Sequence, residues 1–116
     1  MACVTDESVV LACVPSAIPA DRRVQHFALA RELLTQQAVE RVDMAEGYGF
    51  RFAADKLVEL VQFMDNERKC CPFMSFELLI APESGPIWLR MTGPAGTRQV
   101  LQQAELSLVG SCGCRQ

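Results

Sequence analysis

Met74-Ser75-Phe76-Glu77-Leu78-Leu79-Ile80 runs into Ala81-Pro82-Glu83-Ser84-Gly85-Pro86 and then into Ile87-Trp88-Leu89-Arg90-Met91-Thr92. In the first segment Met74, Phe76, Leu78 and Ile80 alternate with Ser75, Glu77 and Leu79. In the last, Ile87, Leu89 and Met91 alternate with Trp88, Arg90 and Thr92. A period of two sends successive side chains to opposite faces of a strand. The Pro- and Gly-rich segment between them supplies the turn, so the pair reads as an antiparallel hairpin. Glu77 and Arg90 then face each other across it as a charge pair.

Upstream of the hairpin, Ala54-Asp55 opens a helix with Leu57, Leu60, Val61 and Met64 on its apolar face. Pro72 bars its continuation. Before that helix lie two strand-like runs, 39–44 and 48–53, with Glu46-Gly47 as the turn between them. An earlier helix starts at Asp21 as N-cap and carries Val24, Phe27, Ala28 and Leu34 at helical spacing, ending near Gln37. Residues 9–14 form a short apolar run that reads as a buried strand, and residues 1–7 read as polar and loose. Downstream, Thr92-Gly93-Pro94 starts a third helix with Val100, Leu101, Ala104 and Leu108 on one face, and Gly110 stops it.

The order is therefore β-αββ-αββ-α, a weak internal repeat whose halves begin at Ala20-Asp21 and Ala54-Asp55. It predicts an α+β, two-layer fold: an antiparallel sheet of four to five strands with three helices on one face. Residues 1–110 form one domain, and 111–116 a flexible tail that contains cysteines. The other face of the sheet, with Trp88 and Tyr48 as exposed candidates, is where a second copy would pack to make a homodimer or where the site would lie.

Half of the 116 residues are apolar and the net charge is −3. That is enough for a core without staples. No basic stripe argues for nucleic acid, and no long apolar run argues for a membrane span. The N-terminus lacks the basic segment of a secretory signal, which makes a cytoplasmic location the expectation. In a reducing compartment the six cysteines read as thiols, metal ligands or redox groups rather than as a disulfide scaffold.

The chemistry concentrates in Glu67-Arg68-Lys69-Cys70-Cys71-Pro72-Phe73 and in the tail pair Cys112 and Cys114. Cys71 falls on the predicted apolar stripe, and Cys70 is turned about 100° from it. The partial negative charge of a helix C-terminus opposes thiolate formation there, and Arg68 and Lys69 counter it. Adjacent cysteines fit a tetrahedral zinc site poorly, because its ligands are spaced C-x₂-C or wider. They suit soft ions that prefer thiolates in low coordination, such as mercury(II), arsenic(III) or copper(I). Cys70 and Cys71 are the fixed half of such a site. Cys112 and Cys114, set among Gly110 and Gly113, are the mobile half that completes it or passes the ion on. Glu67 and Arg68 are candidates for orienting the thiols from behind. The site requires the doublet's sulfurs to be reachable from solvent and near a further electron-rich donor.

Other residues take plainer assignments. Cys13 reads as core, Cys3 as a terminal thiol, and His26, the lone histidine, as a surface residue beside the first helix's stripe. The methionines fill the core. No catalytic constellation is evident, so the chain is not read as an enzyme.

The run from Glu67 to Phe73, continued by Phe76-Glu77-Leu78, resembles a motif of the form E-R-x-C-C-P-F-x-x-F-x-L. It is similar to small uncharacterised bacterial proteins and to segments attached to mercury-resistance-type, metal-responsive regulators. Gly85-Pro86-Ile87-Trp88-Leu89-Arg90-Met91-Thr92-Gly93-Pro94 and Pro19-Ala20-Asp21-Arg22-Arg23 fit the same pattern, so the likeness spans roughly residues 9–106. The resemblance implies heavy-metal handling, with Cys70 and Cys71 as the matching residues and a regulator or transporter as protein partner. The function expected is soft metal or metalloid binding in resistance, transfer or sensing. Two alternatives stand beside it. One is a thiol redox protein with a reactive Cys70 or Cys71 and a resolving tail cysteine. The other is a non-catalytic interaction module whose cysteines are structural.

Overall fold

The computed structural model describes residues 4–6, 9–11 and 13–103. In chain order it contains β1 (Val4–Asp6), β2 (Val9–Val10), α1 (Ala20–Glu32), β3 (Glu40–Met44), β4 (Gly47–Phe52), α2 (Leu57–Cys70), β5 (Ser75–Ile80), β6 (Ile87–Thr92) and α3 (Thr97–Gln103). The sheet has four antiparallel strands in the order β3-β4-β6-β5. The α+β architecture and both αββ units are thus present. The proposed tail with Cys112 and Cys114 lies outside the described residues, as does the end of the third helix.

The start of the chain differs from expectation. Val4–Asp6, taken as loose, pairs with Val9–Val10 in a separate two-stranded ladder. The predicted strand over 9–14 stops early. Pro15 begins a single 3₁₀ turn, Pro15–Ala17, and has no N–H to give to a ladder. The Val14 N–H donates instead to the Cys70 carbonyl at 2.7 Å.

The sheet's register explains its layers. Tyr48 and Phe76 flank Met91, Phe50 and Leu78 flank Leu89, and Phe52 and Ile80 flank Ile87. Tyr48, Phe50, Phe52, Ile87, Leu89 and Met91 are all buried and pack with Leu33, Leu60 and Phe63 from the helices. The intervening residues face away. Among them Arg90 pairs with Glu77 at 3.1 Å and Arg51 with Glu40 at 2.9 Å. Trp88, half-buried on this face, closes with Val42 over Gly49, where a Cβ would meet Val42 Cγ2 at 2.9 Å. Tyr48 is not on the open face as predicted. The two-residue period from Phe50 and Phe52 carries it to the helix side, where the Arg41 and Arg98 guanidinium groups lie 5.2 and 5.3 Å from its ring centre.

The β5–β6 turn holds two non-glycine residues in the left-handed region, Glu83 (φ 59°) and Ser84 (φ 57°). It is closed by the Gly85 N–H donating to the Pro82 carbonyl at 3.0 Å. Two consecutive positive φ values match a type I′ turn, whose second central position favours glycine. Left-handed backbone costs an ordinary residue about 1–2 kcal/mol, and glycine's extra freedom when unfolded offsets about 0.5–1 kcal/mol. Ser84→Gly is therefore expected to stabilise the fold by roughly 0.5 kcal/mol, read as a higher urea midpoint with an unchanged slope.

On both helices apolar counting catches only part of the buried side: Leu33, Leu34 and Leu60 are buried as expected, and Phe27, Leu57 and Met64 pack against the core. On α1 the buried positions are His26 and Ala30, continuing to Leu33 and Leu34 in the π-helical turn Leu33–Gln37, whereas Val24 is 81% exposed. Asp21 lies in the first turn, and Pro19 occupies the N-cap position. On α2 the buried stripe is Leu60, Phe63, Glu67 and Cys70, while Val61 is exposed. Each helix thus brings one polar residue into the core, His26 on α1 and Glu67 on α2.

Candidate metal centre

The C-terminal end of α2 is where the unusual residues meet. Glu67 and Cys70 lie on its buried stripe, three residues apart on one face. Cys71 follows as the C-cap residue, with φ −121° and ψ 77°, and its N–H donates to the Glu67 carbonyl at 2.8 Å. Pro72 enforces this exit by disfavouring α geometry in the residue before it. The helix therefore ends between the two cysteines, with Cys70 its last residue and Cys71 its cap. Both are buried, Cys70 at 0% and Cys71 at 2% exposure. The solvent-reachable doublet that the sequence suggested is corrected on this point: the half-buried sulfur is that of Cys13.

Cys13 arrives from the far end of the chain. The Val14 N–H···O=C Cys70 hydrogen bond fastens its segment across the helix end. Cys13 Sγ thereby lies 3.0 Å from Cys71 Sγ. The three sulfurs of Cys13, Cys70 and Cys71 all fall within 4.8 Å of one another. Cys13 was assigned to the core. It does touch the core's edge, but its sulfur joins the doublet. The second donor expected near the pair is thus present, supplied by Cys13, while Cys3, Cys112 and Cys114 lie outside the described residues.

Behind the sulfurs stands a buried polar pair. His26 Nε2 and Glu67 Oε1 are 2.8 Å apart, both side chains at 0% exposure. The imidazole stacks on Phe63, with ring centres 5.6 Å apart and planes 13° from parallel. Glu67's other oxygen, Oε2, accepts from the Cys71 thiol at 3.7 Å. A carboxyl is costly to bury unless it is paired and hydrogen-bonded. Here α1 supplies that partner from 41 residues earlier in the chain. His26, taken as a surface residue, is instead part of a continuous line: His26, Glu67, Cys71, Cys13. Its position four residues before Ala30 and seven before Leu33, both core residues, was the sequence signal that could have located it.

Arg68, the other candidate for a supporting role, is exposed. It lines an open groove of about 650 Å³ with Val61, Met64, Pro72, Met74 and Phe76, and none of the three sulfurs lines that groove. Lys69 reaches Asp65 at 3.5 Å.

The arrangement has a definite electrostatic character. Three sulfurs, a buried carboxyl and the negative end of a helix converge on one spot, and that combination attracts a cation. With metal–sulfur bonds of about 2.3 Å, three thiolates around one ion stand about 4 Å apart. The observed span brackets this value. The 3.0 Å Cys13–Cys71 contact must open by about 1 Å to reach it. The three sulfurs are thus close enough together to hold a metal ion.

Among the described residues, no helix is long and apolar enough to cross a membrane. Comparison with family models, with curated proteins and with solved structures gave no match.

Proposed function

We propose that the protein binds a soft metal or metalloid ion through the thiolates of Cys13, Cys70 and Cys71. The observation that carries the reading is the convergence of three sulfurs within 4.8 Å from parts of the chain 58 residues apart. The ion class follows from the donors. Three sulfurs converging on one point suit mercury(II), arsenic(III) or copper(I), which prefer thiolates in low coordination, better than zinc(II), which prefers four ligands. Each incoming ion displaces the thiol protons, and the pocket supplies binding rather than chemistry on the ion.

Cys112 and Cys114 take the transfer role in this proposal. They deliver the ion to Cys13, the half-buried member, which hands it inward to Cys71 and Cys70. Exchange from thiolate to thiolate moves the ion without releasing it. Resistance, transfer to a metal-responsive regulator or transporter, and sensing are the settings such a carrier serves. The resemblance of the Cys-Cys-Pro-Phe segment to regulator-attached segments supports them.

Titration of the reduced protein with mercury(II) and cadmium(II), against a competing small thiol, tests this. One equivalent of ion and a thiolate-to-metal charge-transfer band are expected, and Cys70→Ser with Cys71→Ser removes the band. If the double variant takes up mercury as tightly as the parent, the site is elsewhere and the proposal fails.

A further inference from the structure

We propose that Cys13 and Cys71 form a reversible disulfide that closes the metal site under oxidising conditions. This rests on the three-sulfur site proposed above, and its test separates the two. The sulfurs are 3.0 Å apart, about 1 Å beyond a covalent S–S bond. They are held there by backbone, since the Val14 N–H bond to the Cys70 carbonyl fixes the approach of Cys13's segment to the helix end. Cys71, past the last helical residue with non-helical backbone angles, presents its side chain toward that segment. Cys70 lies on the inward helix stripe at 0% exposure, and a bridge between it and adjacent Cys71 would be strained.

Exposure sets the order of events. Cys13 is half-buried and Cys71 is 2% exposed, so a small oxidant meets Cys13 first. With oxidised glutathione, the Cys13 thiolate attacks one sulfur of the glutathione disulfide and expels one glutathione thiolate. Cys71 Sγ then attacks Cys13 Sγ in the mixed disulfide and expels the second. Two protein thiols are oxidised by two electrons, one glutathione disulfide is reduced to two thiols, and those thiols take up the two protons. The bridge removes two of the three ligands and leaves Cys70 alone. Oxidation therefore empties the site, and reduction restores it.

The full-length, metal-free protein is equilibrated in glutathione buffers of graded ratio, alkylated, digested with trypsin and sequenced by tandem mass spectrometry. A link between Cys13 and Cys71 is expected, reversed by dithiothreitol. It persists in Cys70→Ser and in the triple variant Cys3→Ser, Cys112→Ser, Cys114→Ser, and is lost in Cys13→Ser and Cys71→Ala. Oxidised protein is expected to show at least a tenfold smaller cadmium charge-transfer signal, regained on reduction. Recovery of Cys13 and Cys71 as alkylated thiols throughout the series, or their linkage to other cysteines, overturns the proposal. If the link forms but reduced protein takes up no cadmium, the bridge stands and the metal reading falls. If cadmium binds to reduced protein with no link in any buffer, the reverse holds. Because Cys13 is half-buried, its serine variant keeps the core intact, and its circular dichroism checks that loss of the link is not loss of the fold.

Discussion

His26→Ala is expected to lower stability by about 3–5 kcal/mol, the range seen when a large buried ring is truncated, with a buried carboxyl left without its hydrogen-bond partner besides. Two losses act together. Glu67 Oε1 is deprived of its 2.8 Å contact with His26 Nε2 in a place that water does not reach, and the imidazole's stacking on Phe63 disappears. Domains of this size are stable by only about 5–15 kcal/mol, so the variant should unfold at a markedly lower urea concentration. Glu67→Gln separates charge from hydrogen bonding. Its amide still meets the imidazole and can accept from the Cys71 thiol, so its cost should be near that of one ordinary hydrogen bond, about 1 kcal/mol. In the double variant the two costs should fall well short of additive, because the residues act as one unit. A His26→Ala loss below about 1 kcal/mol would mean that the pair is not what holds α1 against α2.

The second large effect concerns the ion. Cys13→Ser is expected to weaken cadmium binding by at least about 100-fold. The floor comes from comparison: residues that merely orient metal ligands contribute about 10–100-fold in affinity, and a direct sulfur ligand must exceed that. Serine keeps the size and the approach of the segment but offers a hard oxygen in place of a soft sulfur. The variant should still bind one ion, now through Cys70 and Cys71, with the charge-transfer band weakened and shifted. Competition with a small thiol measures the loss. Parent-like affinity in Cys13→Ser would restrict the site to the doublet and assign the third ligand to the tail.

Much of this fold is legible in the sequence, and particular residues show why the rest is not. The β5–β6 hairpin declares itself because one face of a strand is buried and the other is not, which writes a period of two into the residues. The Glu77–Arg90 pair follows from the register alone. The helices are harder, because each buries a polar residue. Counting apolar positions on the first helical segment finds Leu33 and Leu34, but it also selects the exposed Val24 and Ala28 and misses His26 and Ala30. On α2 the same counting passes over Glu67 and picks the exposed Val61. Neither His26 nor Glu67 makes sense inside the protein without the other, and nothing local in the sequence links residues 41 apart. Cys13 escapes for the same reason. The doublet marks the helix end plainly, but its third sulfur arrives through a backbone hydrogen bond from Val14 that no spacing rule encodes.

The two αββ units meet back to back where β4 runs antiparallel to β6 in the middle of the sheet. In the sequence, Ala20-Asp21 opens the first unit as Ala54-Asp55 opens the second. Counted from those openings, the counterpart of the Cys70-Cys71 doublet is Gln36-Gln37, at the end of the first unit's helical segment. The two units contribute unequally: the second supplies Glu67, Cys70 and Cys71, the first supplies His26, and Cys13 comes from the segment before both. The Gln36-Gln37 corner is a natural place to engraft a second thiol cluster, with the first left in place as an internal control.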